Sequence, residues 1–217
     1  MQQQAEGASA VASIPTRSEA LAAQGGVRLV VMGVSGCGKS HVGQQLAACL
    51  GAQFIDGDDY HGEANVAKMA RGIPLDDDDR HGWLARLAEL IEEARRDGRS
   101  LVLACSSLKR RYRDQLRGGD PALGFVFLEG TRELLLERLE ARTDHFFKGA
   151  DMLDNQLATL EVPGDDEGRI HTLDISATPQ ALVERLASAP YVVVGEQHDN
   201  PDHHALQLWL LQRLQAV

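Results

Sequence analysis

The densest chemistry in the chain lies between Gly33 and Ser40, where Gly33, Val34, Ser35, Gly36, Cys37, Gly38, Lys39 and Ser40 fit the pattern G-x-x-x-x-G-K-[ST]. Glycines at these spacings let successive backbone N–H groups turn inward at phosphate oxygens, and a helix starting beside Lys39 adds the positive end of its dipole. Lys39 supplies a mobile cation for the β and γ phosphates of a nucleotide, and the Ser40 hydroxyl can ligate Mg²⁺. The alternative is a glycine-rich turn that only joins a strand to a helix. The flanking residues argue against it: Val27 to Met32 form a short apolar β-rich run, and Val42, Leu46, Ala47, Cys49 and Leu50 follow with helical spacing.

A second group of oxygens follows the strand candidate Gln53 to Ile55, in the triplet Asp56-Gly57-Asp58. Many phosphate-loop ATPases carry an acidic metal ligand at the end of a later strand, but here Leu101 to Ala104 runs into Cys105-Ser106-Ser107. Asp56 and Asp58 are the nearest substitute. One of the two can serve a hydrated metal and the other an acceptor hydroxyl, and the spacing alone leaves their order open. A solvated Asp-Gly turn is the competing account of the triplet, and the adjacent phosphate loop tips the balance toward chemistry.

The elements that must hold these residues alternate along the chain. Strand candidates at Val27–Met32, Gln53–Ile55, Leu101–Ala104, Phe125–Leu128 and Ile170–Ile175 are separated by helix candidates at His41–Leu50, Trp83–Arg96, Arg110–Leu116, Arg132–Arg142 and Pro179–Leu186. Thr178 is placed to cap the last helix, with Pro179 in its first turn. This order predicts an α/β fold, a parallel five-stranded sheet in a three-layer α/β/α arrangement, with ligands at the carboxyl ends of the strands. The run Asp76-Asp77-Asp78-Asp79 reads as a solvated acidic loop.

Composition narrows the class. The chain has 217 residues, enough for one α/β domain with some chain to spare, and a formal net charge of −10. That balance argues against nucleic-acid and anionic-membrane partners. With 43% apolar and 25% charged residues, wholesale disorder and fibrous repeats are excluded. No stretch approaches the roughly 18 apolar residues of a membrane span. Cys37, Cys49 and Cys105 are too scattered for a disulfide framework or a zinc site, which favours a reducing, cytoplasmic setting. Residues 1–24 lack a basic start and an apolar run, and read as a flexible leader, not a secretory signal.

The ordered blocks GVSGCGKS (33–40), DGDDYH (56–61), ANVAKMARGIPLDDDDRHGWL (64–84), ACSSLKRRYRDQLR (104–117), ARTDHFF (141–147) and QLATLEVP (156–163) resemble gluconate kinases, P-loop enzymes of the shikimate- and adenylate-kinase-like group. The resemblance spans a domain over residues 25–189. It implies transfer of the ATP γ-phosphoryl group to the 6-hydroxyl of D-gluconate, with ATP and Mg²⁺ bound, in a P-loop kinase fold with a small lid and a possible homodimer. A kinase for another small hydroxy acid, such as shikimate, is the nearest rival.

Phosphoryl transfer depends on positioning and charge neutralisation. Asp58 is the candidate acceptor of the substrate hydroxyl proton, and analogy with shikimate kinases gives Asp56 to Mg²⁺ through water. An anionic sugar acid needs fixed cations, which makes Lys68, Arg71, Arg80, Ser106, Lys109, Arg113 and His145 the candidate substrate residues. Lys109 and Arg113 would share a helix face at i, i+4, leaving Arg110 and Arg111 outside. Arg138 and Arg142 border the lid in the resembled families and neutralise the transferring group; pairing with Glu137, Glu140 or Asp144 is the competing account. The loop from Asp174 to Pro179 falls where the adenine pocket belongs.

Residues 190–217 lie beyond that pattern. Pro190 to His204 and the helical stretch after them resemble the opening strand and helix of ChaN-like haem-binding proteins. His198, His203 and His204 raise a haem or metal hypothesis, against which stands the full set of oriented ligands that such a site needs. A truncated fusion is the larger alternative.

Overall fold

In the computed structural model, described for residues 25–141 and 146–188, five strands form one parallel sheet in the order β2-β3-β1-β4-β5. They are β1 (Arg28–Met32), β2 (Gln53–Asp56), β3 (Leu101–Ala104), β4 (Gly124–Glu129) and β5 (Ile170–Asp174). Register sets Val30 beside Leu103 on one side and Phe125 on the other, and Ile55 beside Leu103 at the far edge. The expected leader (1–24), the terminal strand–helix segment (190–217), Arg142 and His145 lie outside the described residues.

Successive residues of a strand face opposite sides of the sheet, so apolar runs must be covered twice. Leu29, Val31, Val102, Val126 and Leu128 face a core closed by α1 (Lys39–Leu50) and α7 (Pro179–Ser188). Val30, Met32, Leu101, Leu103, Phe125 and Phe127 face a second core. It is closed by α3 (Asp77–Arg96) and α4 (Arg110–Arg117). The expected three-layer α/β/α fold is what the residues build. Between these elements lie α2 (Glu63–Ala70), α5 (Arg132–Glu140) and α6 (Phe146–Thr159), and a short 3₁₀ turn spans Gly57–Tyr60.

The acidic run is not a solvated loop. Helix α3 starts at Asp77, six residues before the expected Trp83, with Asp76 as N-cap. The Asp76 side chain accepts from Asp79 N at 2.9 Å and the Asp79 side chain from Asp76 N at 3.0 Å, a reciprocal capping box. Carboxylates also complement the positive end of the helix. From there Trp83, Leu84, Leu87, Ile91 and Ala94 carry the helix into the core.

Candidate active site

Three adjacent strands, β2, β3 and β1, deliver their carboxyl ends to one place. After β1 the chain turns at Gly33, whose φ is +139° and where a Cβ would lie 2.8 Å from Leu128 O. Gly38, at φ +96°, caps α1 without a side-chain bond, leaving the first amides of the helix free for a ligand. Gly33 N donates to Ser106 O at 3.3 Å, which ties the loop to the end of β3. Lys39 Nζ donates to Val34 O at 3.1 Å, and Ser35 N donates to Gln156 Oε1 at 2.7 Å. Burial pushes the Cys37 thiol up despite the nearby Lys39 and Arg138, so it stays protonated at neutral pH.

The Ser40 hydroxyl donates to Asp56 Oδ2 at 2.7 Å, and Asp58 N donates to Asp56 Oδ1 at 3.2 Å. Two hard oxygens are thus held together at the start of α1. Such a pair fits Mg²⁺, which takes one or two protein oxygens and keeps water and phosphate for its remaining positions. Among the described residues there is no cluster of three or more His, Cys, Asp or Glu side chains suited to a metal. Asp58 points outward, its side chain 80% exposed, and His61 Nε2 lies 3.8 Å from its Oδ1. The His61 ring is buried and stacks on Trp83 at 4.2 Å, while Trp83 Nε1 donates to Gly57 O at 2.7 Å. Burial lowers the His61 pKa, Asp58 opposes the shift and Arg80 adds to it, so the imidazole is neutral at pH 7. Its Nδ1 is buried without a hydrogen-bond partner.

The candidate cations divide. Lys68 Nζ holds both oxygens of Asp79 at 2.6 Å, and Lys109 Nζ holds Asp77 at 2.9 Å. Asp77 also accepts from Tyr112 Oη and pairs with Arg111. Arg80 donates to Leu75 O at 3.3 Å and sits 6.0 Å over the Tyr112 ring; Arg71 is exposed and donates to Ala67 O at 3.2 Å. Among the described residues neither forms an ion pair, leaving both guanidinium forks available to an anion. Ser106 is half-buried beside the phosphate loop. Arg138 Nη2 donates to Ile175 O at 2.7 Å and fixes the loop expected to face adenine.

Arg113 leaves the set of substrate cations. Its side chain is 0% exposed, and its fork grips Glu167 at 2.6 and 2.5 Å. Nη1 further donates to Ser107 O at 3.1 Å and Leu108 O at 3.3 Å. The expected sharing of a helix face with Lys109 fails because Lys109 is the N-cap, with extended φ −101° and ψ 146°, so helical spacing does not apply across the pair. The guanidinium keeps the Glu167 carboxyl below its ordinary range.

Three side chains enter the site that residue types alone did not single out. His61 and Gln156 sit inside the resembled blocks, where their spacing carries no chemical signature. Trp83 reads as an ordinary core position of an amphipathic helix.

A family model described as an AAA domain matches residues 29–163, and one described as haem-binding uptake, Tiki superfamily, ChaN matches residues 182–217. The chain is 44% identical over 154 residues to the thermoresistant gluconokinase of Escherichia coli (strain K12), covering 71% of this chain and 87% of that one. It is 51% identical over 139 residues to the gluconokinase of Gluconobacter oxydans, covering 64% and 78% respectively. The crystal structure of a gluconokinase from Sinorhizobium meliloti is similar at a TM-score of 0.68 and 39% identity, covering 86% of this chain and 97% of that one. Taken with a phosphate loop that closes on a Ser–Asp oxygen pair, these likenesses show that the chain belongs to the gluconokinase family of P-loop kinases.

Proposed function

We propose that the protein phosphorylates D-gluconate on its 6-hydroxyl with ATP and Mg²⁺, giving 6-phospho-D-gluconate and ADP, in the cytoplasm. The observation that carries this reading is the meeting of Ser40, Asp56 and Asp58 beside the phosphate loop, in a chain of this family. Lys39 and the loop amides bind the phosphates. Ser40 and Asp56 would hold Mg²⁺, which neutralises charge on the β and γ phosphates. Asp58, the more exposed carboxylate, accepts the hydroxyl proton of the sugar acid as its oxygen attacks phosphorus, while ADP leaves with the bridging oxygen. Arg71 and Arg80, which form no ion pair among the described residues, would take the gluconate carboxylate, with Ser106, Lys68 and Lys109 as further candidates for the sugar acid. Arg138, and Arg142 from outside the described residues, would neutralise charge on the transferring phosphoryl group, while His145, also outside them, stays with the candidate sugar-acid residues.

A coupled ADP-release assay of the full chain against gluconate, shikimate and nucleoside monophosphates tests the assignment. Gluconate should give the highest kcat/KM. Shikimate turnover above gluconate turnover would overturn it.

A further inference from the structure

The phosphate loop of this structure is occupied from within. The peptide between Val34 and Ser35 is bonded at both ends: its carbonyl accepts from Lys39 Nζ at 3.1 Å, and its N–H donates to Gln156 Oε1 at 2.7 Å. The same carboxamide returns Nε2 to Ser35 Oγ at 3.0 Å. Because Ser35 N is a donor, the oxygen of Gln156 is fixed on that side. A phosphate oxygen that binds the Ser35 N–H must therefore take the place of this amide oxygen.

Which phosphate it meets follows from Lys39. The lysine of this motif serves the β and γ groups, and its ammonium rests on the Val34–Ser35 peptide, marking that peptide as the terminal-phosphoryl end of the loop. Gln156 itself arrives from a fixed point. Beyond it the end of α6 is anchored by Leu160 N to Gln156 O at 2.9 Å, by Glu161 N to Leu108 O at 2.8 Å, and by Arg110 N to Glu161 Oε2 at 2.6 Å. The backbone stays, and the side chain is the part free to turn.

We propose that Gln156 is a nucleotide-positioning residue that distinguishes ATP from ADP: its Oε1 holds the Ser35 amide until a terminal phosphoryl oxygen replaces it, and the carboxamide then turns Nε2 to donate to that oxygen. One amide group thus satisfies the loop in both states, as acceptor in the first and donor in the second. The inference rests on the nucleotide half of the proposed function and not on the identity of the acceptor.

Calorimetric titration of the full chain with ADP and with a non-hydrolysable β,γ-imido analogue of ATP, without sugar acid, tests it. Gln156→Ala should weaken the analogue by about tenfold to a hundredfold, the range for one hydrogen bond to a charged group. ADP affinity should stay within about twofold, since the lost bond belongs to the third phosphate. The near-isosteric Gln156→Glu keeps an acceptor for Ser35 N–H, so the loop retains its shape, yet it sets a negative charge where the terminal phosphoryl belongs. It should discriminate against the analogue at least as strongly as Gln156→Ala. Equal losses for both nucleotides would assign Gln156 to a structural staple and overturn the proposal, as would no loss for either. A failure of gluconate turnover leaves these titrations unaffected, so the two readings fall separately.

Discussion

Asp58 stands at the exposed end of a short chain of contacts that runs through His61 and Trp83 to the Gly57 carbonyl. Its carboxylate is 80% exposed and open to an incoming hydroxyl, with the His61 ring 3.8 Å behind it. Asp58→Asn should lower kcat at least about a hundredfold, the magnitude of a lost general base, while the affinity for ATP stays unchanged by titration. Asp56 is held differently, its oxygens engaged by Ser40 and by the Asp58 amide, and the proposed function gives it to Mg²⁺. Asp56→Asn should therefore raise the Mg²⁺ concentration needed for half-maximal activity by about tenfold or more, with little change in the KM for gluconate. The sequence alone left the order of these two carboxylates open, because Asp-Gly-Asp is symmetrical in type. What separates them is reach: the one that ends β2 faces the start of α1, and the one inside the following turn faces solvent.

Helices and strands were legible to unequal degrees. β1, β3 and β4 were readable because each is an apolar run buried on both faces, and they match their expected spans to within two residues at each end, whereas the edge strands β2 and β5 are mixed in polarity and only partly buried. Helix α2 was not readable, since Asn65 is its only buried residue and no apolar period marks it. Asn65 instead donates to Asp79 O at 2.7 Å, which links α2 to the start of α3 through a polar contact that no pattern announces. The acidic run shows the same limit: four carboxylates read as a solvated stretch unless Asp76 and Asp79 are seen as two halves of one cap. Asp76→Ala should cost about 1 kcal/mol of stability in urea denaturation, the usual value of an N-cap. Arg113 carries a larger effect. Changing it to Met leaves the buried Glu167 carboxylate with only the more distant Arg117, at 3.8 Å, at a cost of about 3 kcal/mol, the lower end for breaking a buried pair. In a domain of this size that lowers Tm by roughly 10 °C, and replacing Glu167 by Gln in the same chain should restore much of the loss.

Across the whole molecule, acid is the direction of weakness. Burial lowers the pKa of His61 and of His171, so each stays neutral when folded while the unfolded chain takes up a proton below about pH 6.5. Their share of stability is complete above that pH and is lost as pH falls toward the folded values. A second decline follows in stronger acid. There Glu167, held down by Arg113, and Asp166, held down by Arg110, must protonate to unfold, and their stability is lost as pH drops through the lowered folded pKa values. Tm measured from pH 8 to about pH 2 should fall in these two stages, and His61→Phe, which keeps an aromatic ring against Trp83, should flatten the first. The charge of −10 is an average over the chain, and it coexists with a lysine held at the phosphate loop, where Lys39 Nζ donates to Val34 O at 3.1 Å. For the terminal segment, hemin titrated into the full chain and into a chain ending at Ala189 should give equal, weak spectra. A Soret band confined to the full chain would make residues 190–217 a haem-binding segment.

The stacking of His61 on Trp83 has one more consequence, in light. The chain contains two tryptophans, and the other, Trp209, lies in the terminal segment. A chain ending at Ala189 therefore has a single indole emitter, set one ring away from the Asp58 carboxylate. Protonated imidazole quenches indole and the neutral ring does so far less, so the emission should dim as His61 takes up a proton in acid. If the sugar acid binds at Asp58, as the proposed function has it, the emission of Trp83 should report that binding without a label.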